Sequence, residues 1–311
     1  MKGLKSLLRP PYIFCKFCVG FVVWNSPLSR YGEFLLSTWN DREKRSAWDD
    51  LLYPCVYNYW LERIYLKESD PDRAEELKQL AMGGNSGKNW AAMYEKKALD
   101  FNLKVGGLTL REAVPLYEEM HEILRGAGGL PLTVIQIGSS SGREIAHYAE
   151  RYPHFDFIGT DIYDSVLDWA TSHHQFPNLK FCLCPAKDIK NLLREHLNRG
   201  VVVFSSGSLQ YVRPEHLDQF FSDLAGHPNI HMILHEPGRD SEGSPDQLHT
   251  SRWRGNFSYT QDYRYYAEKY GLVTVKCEII RPYLPLDQFP GYEDTVHYFY
   301  HGRSPGGKIS P

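Results

Sequence analysis

From residue 132 onward, short apolar segments alternate with segments of helical periodicity, and this alternation limits the possible folds more than any other feature of the sequence. The apolar runs are predicted as strands, at residues 133–137, 155–160, 179–183, 201–204 and 230–234. The segments between them are predicted as helices, at residues 143–152, 165–170, 189–198 and 214–225. Strands that alternate with helices form a parallel sheet covered on both faces. The sequence therefore predicts an α/β fold built on a mostly parallel sheet.

Two late apolar segments complete the predicted sheet. They span residues 273–280 and 294–301, and they follow a loop rich in Gly, Ser and Pro at 236–245 and a predicted helix at 261–270. No helical pattern separates the two segments, so we expect them to pair in antiparallel fashion.

The N-terminal part of the chain has a different pattern. Residues 47–65 and 72–81 carry apolar positions at a spacing of three to four, which predicts helices. A further helix is predicted at residues 109–124, because Thr109 and Glu112 have the spacing of a capping box. We therefore expect a helical N-terminal region over residues 1–125 and an α/β domain over residues 126–311.

Composition excludes some classes of partner and site. The formal net charge is -3 and no stripe of Lys or Arg is present, so we expect no nucleic-acid binding. The six cysteines are too scattered for a disulfide framework, which indicates a reducing, cytoplasmic environment. Cys15 and Cys18 form one C-x-x-C, but no second ligand pair stands at zinc spacing, so we expect no metal site there.

An apolar run at residues 12–24 follows Lys2, Lys5 and Arg9. The run is short of the roughly 20 residues that a membrane-spanning helix needs, Lys16 interrupts it, and no signal-peptide cleavage pattern follows. We expect no transmembrane span and favour a packed helix. Weak contact of this segment with a membrane surface is the alternative.

The first predicted strand runs into the turn Gly138-Ser-Ser-Ser-Gly142, and a helix follows. Small residues let the backbone turn tightly, and the free N–H groups at the helix start can then face an anionic ligand. A dinucleotide fingerprint would need glycines where Ser140 and Arg143 stand, so that interpretation fails on spacing.

The same turn also matches the G-x-S-x-G nucleophile elbow of α/β-hydrolases, with Ser140 as the nucleophile. The partners that a hydrolase could use are His235, His249, His297, His301, Asp240 and Asp246. Against this alternative, a hydrolase sheet has several strands before its elbow, whereas this turn belongs to the first clear βα unit.

Asp161 ends the second predicted strand, 23 residues after Gly138. A carboxylate at that position can accept hydrogen bonds from both ribose hydroxyls of an adenosyl ligand. A glycine-rich turn together with a spaced acid is a much stronger signal than either feature alone.

Three segments, residues 134–142, 159–162 and 201–212, resemble motifs of class I S-adenosylmethionine-dependent methyltransferases, and the resemblance covers about residues 132–301. It implies a Rossmann-like sheet of seven strands with an antiparallel last strand, and S-adenosyl-L-methionine as the cofactor. Gly138, Ser140 and Gly142 would line the methionine end, and Asp161 with Ile162 would hold the ribose and adenosine. The full set of implied cofactor residues is Gln136, Gly138, Ser139, Ser140, Gly142, Asp161, Ile162, Ala186, Lys187, Asp188, Ser205, Ser206 and Gly207.

The sequence departs from the family pattern at three places. Gln136 replaces the acid that usually leads the first motif, and Ser140 replaces its middle glycine. The third strand ends Cys184-Pro-Ala186 in place of Gly-Asp-Ala, so the adenine contact would fall to the Ala186 backbone, Lys187 or Asp188.

The resemblance leads us to expect methylation of a small-molecule acceptor, at oxygen in preference to nitrogen. His235 and Glu236, at the end of the fifth predicted strand, are the candidate general bases. The candidate substrate contacts are Trp90, Tyr94, Tyr211, Arg252, Arg254 and Tyr259. We expect residues 1–125 to close over the substrate. The competing hypotheses are a serine hydrolase and a non-catalytic protein that binds an adenosyl ligand.

Overall fold

The computed structural model describes residues 9–38, 44–82, 110–239, 251–255, 257–280 and 296–306. The chain forms two compact units, Met1–Trp90 and Ala91–Pro311. The described helices of the first unit are α1 (Arg9–Trp24), α2 (Ser29–Ser37), α3 (Ala47–Arg63) and α4 (Pro71–Met82).

Helices α1 and α3 pack closely in the first unit. Gly20 lies directly against Tyr59 and the Cys55 carbonyl, where a larger residue would collide with them. Helix α3 begins at a capping box, in which Ser46 accepts a hydrogen bond from the Asp49 N–H and Asp49 accepts one from the Ser46 N–H. No helix among the described residues has the length and apolar character needed to cross a membrane.

The second unit alternates strands and helices, as the sequence predicts. Its elements between residues 110 and 239 are α5 (Leu110–Gly126), β1 (Leu132–Ile137), α6 (Arg143–Arg151), β2 (Asp156–Asp161), α7 (Asp164–His173), β3 (Leu179–Leu183), α8 (Ile189–Arg194), β4 (Gly200–Ser206), α9 (Pro214–Ala225) and β5 (Ile230–Gly238). The later elements are β6 (Arg252–Gly255), β7 (Ser258–Thr260), α10 (Tyr263–Lys269), β8 (Val273–Ile280) and β9 (Val296–Arg303).

The main sheet has seven strands in the order β3-β2-β1-β4-β5-β9-β8. Strands β1 to β5 are parallel, and β9 pairs antiparallel with both β5 and β8. This confirms the predicted fold, a Rossmann-like sheet with an antiparallel last strand. The strand order reverses between β1 and β4, and open α/β sheets bind ligands at the carboxyl edge of such a reversal.

Helices cover both faces of the sheet. On one face, Leu116 and Met120 of α5 and Tyr148 of α6 are buried with Val134 of β1. The opposite face packs against α8, α9 and α10 through a second apolar cluster that includes Phe220. Helix α5 therefore packs in the second unit, although the sequence pattern predicted it as part of the N-terminal helical region.

Two local predictions were wrong. Strand β5 extends to Gly238, whereas the sequence pattern ended it at residue 234, because antiparallel pairing with β9 continues from His231 to Gly238. The short hairpin of β6 and β7 lies in a segment where no strand was predicted. Both features depend on contacts that the local apolar pattern does not encode.

The turn after β1 depends on two glycines with positive φ. Gly138 has φ +67° and a side chain there would collide with Ser208, while Gly142 has φ +76° and a Cβ would lie 2.6 Å from the Phe181 ring. L-residues rarely adopt this backbone conformation, so both positions need glycine.

We expect Gly142→Val to lower the free energy of unfolding by about 3 kcal/mol or more, since strain at positive φ adds to a clash with the Phe181 ring. Gly129→Ala is the matched control, because a Cβ at that position would have no neighbour within 4 Å, and we expect a change below about 0.5 kcal/mol. Urea denaturation measures both. Equal stability of the two variants would contradict the proposed packing of this turn.

Candidate cofactor and active site

The turn between β1 and α6 forms the centre of the candidate site. The Ser139 N–H donates to the Thr160 carbonyl on β2 at 2.7 Å, and the Gly142 N–H donates to the Ser139 carbonyl at 2.8 Å. Ser140, at the middle of the turn, has φ +48°, a backbone conformation that is uncommon outside glycine. These bonds hold the turn at the carboxyl edge of the sheet, above the point where the strand order reverses.

Asp161 is half-buried at the end of β2 and is bonded to this turn. Its Oδ2 accepts a hydrogen bond from the Ser140 N–H at 3.1 Å, and its Oδ1 accepts one from the Ile162 N–H at 2.8 Å. Burial raises the pKa of the carboxyl to about 6, although the main-chain donors oppose that shift. A carboxylate held in this way keeps lone pairs available for the hydroxyls of a ligand.

Several buried polar atoms around the turn have no hydrogen-bond partner. They are Gln136 Oε1, Ser139 Oγ and Ser140 Oγ. Buried polar groups are nearly always paired, and leaving one unpaired costs about 1–3 kcal/mol. The turn therefore presents unused donors and acceptors beside Asp161, which fits a polar ligand such as the sugar and amino-acid parts of an adenosyl cofactor.

Gln136 does not stand alone at the end of β1. Its side-chain Nε2 donates to Oε2 of Glu144, the second residue of α6, at 2.8 Å. Glu144 is a site residue that sequence reasoning missed. In the sequence, Ser141 and Glu144 have the spacing of a capping box at a helix start, which could have drawn attention to Glu144. In the structure Gly142 is the N-cap, and the Glu144 side chain bonds to Gln136 instead.

Glu236 anchors the loop after β4. It is fully buried, and its Oε1 accepts hydrogen bonds from Ser205 Oγ at 2.6 Å and from the N–H groups of Ser208 and Leu209 at 2.9 and 3.0 Å. Its Oε2 accepts one from the Gln210 N–H at 3.3 Å. Burial raises the pKa of this carboxyl, and the four donors oppose that rise.

The same loop contacts the turn after β1. Ser208 Oγ donates to the Gly138 carbonyl at 3.2 Å, and Gly207 has φ +73°. The Gly207 N–H donates to the carbonyl of His235 at 3.0 Å. Ser205, Ser206 and Gly207, predicted to lie beneath the cofactor, are thus at the same edge of the sheet as the glycine-rich turn.

The side chain of His235 is fully buried within β5, and its backbone pairs with Phe299 on β9 and Ser206 on β4. The sequence pattern predicted His235 and Glu236 to end the strand, at the rim of the sheet. The extension of β5 places both inside it. Their assignment as general bases stays a prediction.

The end of β3 lies beside Asp161, since the Cys184 N–H donates to the Asp161 carbonyl at 3.1 Å. A 3-10 turn, Ala186–Asp188, follows, in which Ala186 is buried, Lys187 is half-buried and Asp188 is exposed. The three residues proposed for the adenine contact therefore follow directly after the strand end that is bonded to Asp161. Which of them makes that contact stays a prediction.

The β6–β7 hairpin brings candidate substrate residues to the loop after β4. Arg254 donates a hydrogen bond to Gln210 Oε1 and another to Ser258 Oγ at 3.3 Å. Tyr259 is buried, and its ring packs edge-on against Trp253 with centroids 5.2 Å apart. Tyr211 is half-buried in the adjacent 3-10 turn, whereas Arg252 is exposed. Trp90 and Tyr94 lie outside the described residues.

The geometry around Ser140 does not favour a serine hydrolase. A serine nucleophile needs a base within hydrogen-bond reach, but Ser140 Oγ has no hydrogen-bond partner. His301 is bonded instead to Glu119 and His231. His249, Asp240, Asp246 and the side chain of His297 lie outside the described residues.

Within the described ranges, no group of three or more His, Cys, Asp or Glu side chains could hold a metal ion. The groups that these ranges place at this edge of the sheet include main-chain N–H groups, hydroxyls and carboxylates.

No protein-family model and no curated protein matches the chain. Among solved structures, it is similar to magnesium protoporphyrin IX methyltransferase from Synechocystis with bound S-adenosylhomocysteine, with a TM-score of 0.48 and 11% identity over 71% of this chain and 96% of that one. Phosphoethanolamine N-methyltransferase 2 of Haemonchus contortus, in complex with S-adenosyl-L-methionine, has a TM-score of 0.47 and 13% identity over 73% of this chain. This chain spans 60% of the length of the Haemonchus protein.

We expect Glu236→Ala to lower the free energy of unfolding by about 2–4 kcal/mol, because it leaves buried main-chain donors of the loop without an acceptor. Ser205→Ala removes only one of the donors to Glu236 and should cost about 1 kcal/mol. Urea denaturation measures both variants. A Glu236→Ala protein as stable as Ser205→Ala would show that the carboxylate does not anchor the loop.

Proposed function

We propose that this protein is a class I S-adenosylmethionine-dependent methyltransferase. The observation that carries the proposal is the hydrogen bond from the Ser140 N–H to Asp161, which joins a glycine-bounded turn to an acid on the neighbouring parallel strand. It lies at the reversal of strand order in a sheet whose last strand is antiparallel. The unpaired polar atoms of the turn support the same assignment.

In this proposal the chain contributes binding and orientation. Asp161 accepts hydrogen bonds from the ribose, and the turn from Gly138 to Gly142 approaches the methionine end closely because two of its residues lack side chains. The bound cofactor supplies an electrophilic methyl group. The protein must then exclude water and hold the acceptor atom in line with that methyl group, and such positioning supplies much of the rate acceleration.

We propose a small-molecule acceptor, methylated at oxygen in preference to nitrogen. The proposed acceptor contacts include Tyr211, Arg254 and Tyr259. Their position beside the loop after β4 is supported by the hydrogen bond from Arg254, on the β6–β7 hairpin, to Gln210. Trp90, Tyr94 and Arg252 remain proposed acceptor contacts. The proposal includes a cytoplasmic location, with membrane-surface contact through residues 12–24 as the alternative to a packed helix.

His235 and Glu236 remain the proposed general bases for an acceptor that must lose a proton. Both side chains are fully buried. To receive that proton, the Glu236 carboxylate would have to give up one of the four hydrogen bonds that it accepts. The hydrogen bonds of Glu236 support a second role, in which it positions the loop of residues 208–210 beside the turn after β1.

We expect Asp161→Ala to weaken the binding of S-adenosylhomocysteine by about 1.5–3 kcal/mol, which is roughly ten- to a hundredfold in dissociation constant. The loss follows from removal of the carboxylate that would accept the ribose hydroxyls. Isothermal titration calorimetry measures the affinity, and Asp168→Ala, at an exposed position on α7, is the control. Unchanged affinity in a folded Asp161→Ala protein would contradict the ribose assignment.

Ser140→Ala separates the proposed methyltransferase from a serine hydrolase. Because the variant removes only one hydroxyl and leaves the backbone donors of the turn in place, we expect it to retain S-adenosylhomocysteine binding within about threefold. We also expect a fluorophosphonate probe to leave the unaltered protein unlabelled, as read by mass spectrometry. Labelling of Ser140 would favour the hydrolase.

A non-catalytic adenosyl-binding protein would give the same binding results. Incubation with methyl-labelled S-adenosylmethionine and a mixture of small molecules distinguishes the two, because only a methyltransferase transfers the label and produces S-adenosylhomocysteine. Binding without any transfer would favour the non-catalytic alternative.

A further inference from the structure

Gln136, which is buried near the end of β1, and Glu144, which is half-buried at the start of α6, form a polar pair on the two elements that flank the turn after β1. Gln136 is only 3% exposed, and its Nε2 donates to Glu144 Oε2 at 2.8 Å. Its other polar atom, Oε1, is an acceptor with no hydrogen-bond partner. Buried acceptors are normally hydrogen-bonded, and the chain supplies no donor to this one. A bound ligand could supply that donor.

Glu144 adds a negative charge next to that acceptor. Its side-chain hydrogen bond comes from a neutral amide, and no salt bridge among the described residues neutralises it. Burial, together with the nearby Glu236 carboxylate, raises the pKa of Glu144 to about 7, although the hydrogen bond from Gln136 opposes that rise. The place therefore combines a carboxylate and an unpaired carbonyl oxygen, and both would be stabilised by a cationic donor.

An ammonium group has the chemistry that this pair lacks. It carries a positive charge and three N–H donors, so it can bond to a carboxylate and an amide oxygen at the same time. The pair lies at the end of β1 and the start of α6, which flank the turn that would hold the methionine end of the cofactor.

We propose that Glu144, together with Oε1 of Gln136, binds the α-ammonium group of the methionine moiety of the cofactor. The acid would thus come from the helix after the turn, while the strand position where the family pattern has an acid is Gln136. This inference rests on the proposed function, since it assumes that an adenosyl amino acid occupies the site.

The test compares two ligands that differ only in the amino-acid part. S-adenosylhomocysteine carries the ammonium group, whereas 5′-methylthioadenosine has the same adenine, ribose and sulfur without it. Glu144→Gln keeps the size of the side chain and an oxygen that can accept from Gln136 Nε2. Glu150→Gln, at an exposed position on the same helix, is the matched control.

At pH 8 we expect Glu144→Gln to weaken S-adenosylhomocysteine about tenfold or more and to change 5′-methylthioadenosine less than about twofold, by calorimetry. Glu150→Gln should change neither. An equal loss for both ligands would show that Glu144 only supports the fold of the turn, and unchanged or tighter S-adenosylhomocysteine binding would exclude contact with the ammonium group. Each of these results overturns the inference.

The dependence on pH gives a second readout. The groups that face Glu144 are Gln136 on β1, Glu236 on β5 and Tyr148 on its own helix. Because only the ionised carboxylate attracts an ammonium group, affinity for S-adenosylhomocysteine should rise between about pH 6 and 8, and this rise should be smaller in Glu144→Gln. Burial also raises the pKa of Asp161 to about 6, but the proposed function places Asp161 against the ribose, so its effect should be common to both ligands.

Failure of the proposed function gives a different result. If neither S-adenosylhomocysteine nor 5′-methylthioadenosine bound to the unaltered protein, the adenosyl site and the inference would both be wrong. If both ligands bound and Glu144→Gln had no selective effect, only the role of Glu144 would be wrong.

Discussion

The burial of β1 on both faces is the constraint on which the rest of the structure depends. All six of its residues are buried between helices, and β2 and β4 pair with it on either side. A strand in this position cannot place polar groups along its length without pairing them. Polar chemistry is therefore concentrated where the strand ends, at Gln136 and the turn from Gly138 to Gly142.

Three carboxylates then define the edge of the sheet around that turn. Asp161 accepts the Ser140 N–H, Glu236 accepts donors from the loop after β4, and Glu144 accepts the Gln136 amide. Burial raises the pKa of each of them, so each costs free energy unless donors offset that cost. Glu236 has four donors from the chain, whereas the Glu144 side chain accepts from Gln136 alone. This inequality is the physical basis for assigning an anchoring role to Glu236 and a ligand-binding role to Glu144.

The candidate site could be predicted from sequence to the extent that its residues are close along the chain. The turn after β1 and Asp161 at the end of β2 follow from short-range patterns of glycine, serine and apolar residues. The burial of His235 and Glu236 could not be predicted in this way, because it depends on pairing of β5 with β9, a strand far along the chain. The bond from Arg254 to Gln210 spans 44 residues and gave no local signal.

The parallel sheet, the antiparallel late strands and the position of the glycine-bounded turn follow from the sequence alone, because apolar periodicity and backbone freedom at glycine act over a few residues. Tertiary packing decided which polar groups around that turn have hydrogen-bond partners. That packing paired Gln136 with Glu144, left Gln136 Oε1 without a donor and enclosed Glu236 in main-chain N–H groups. Hydrogen bonding between distant segments depends on how the helices and strands pack, and periodicity along the chain carries no information about it.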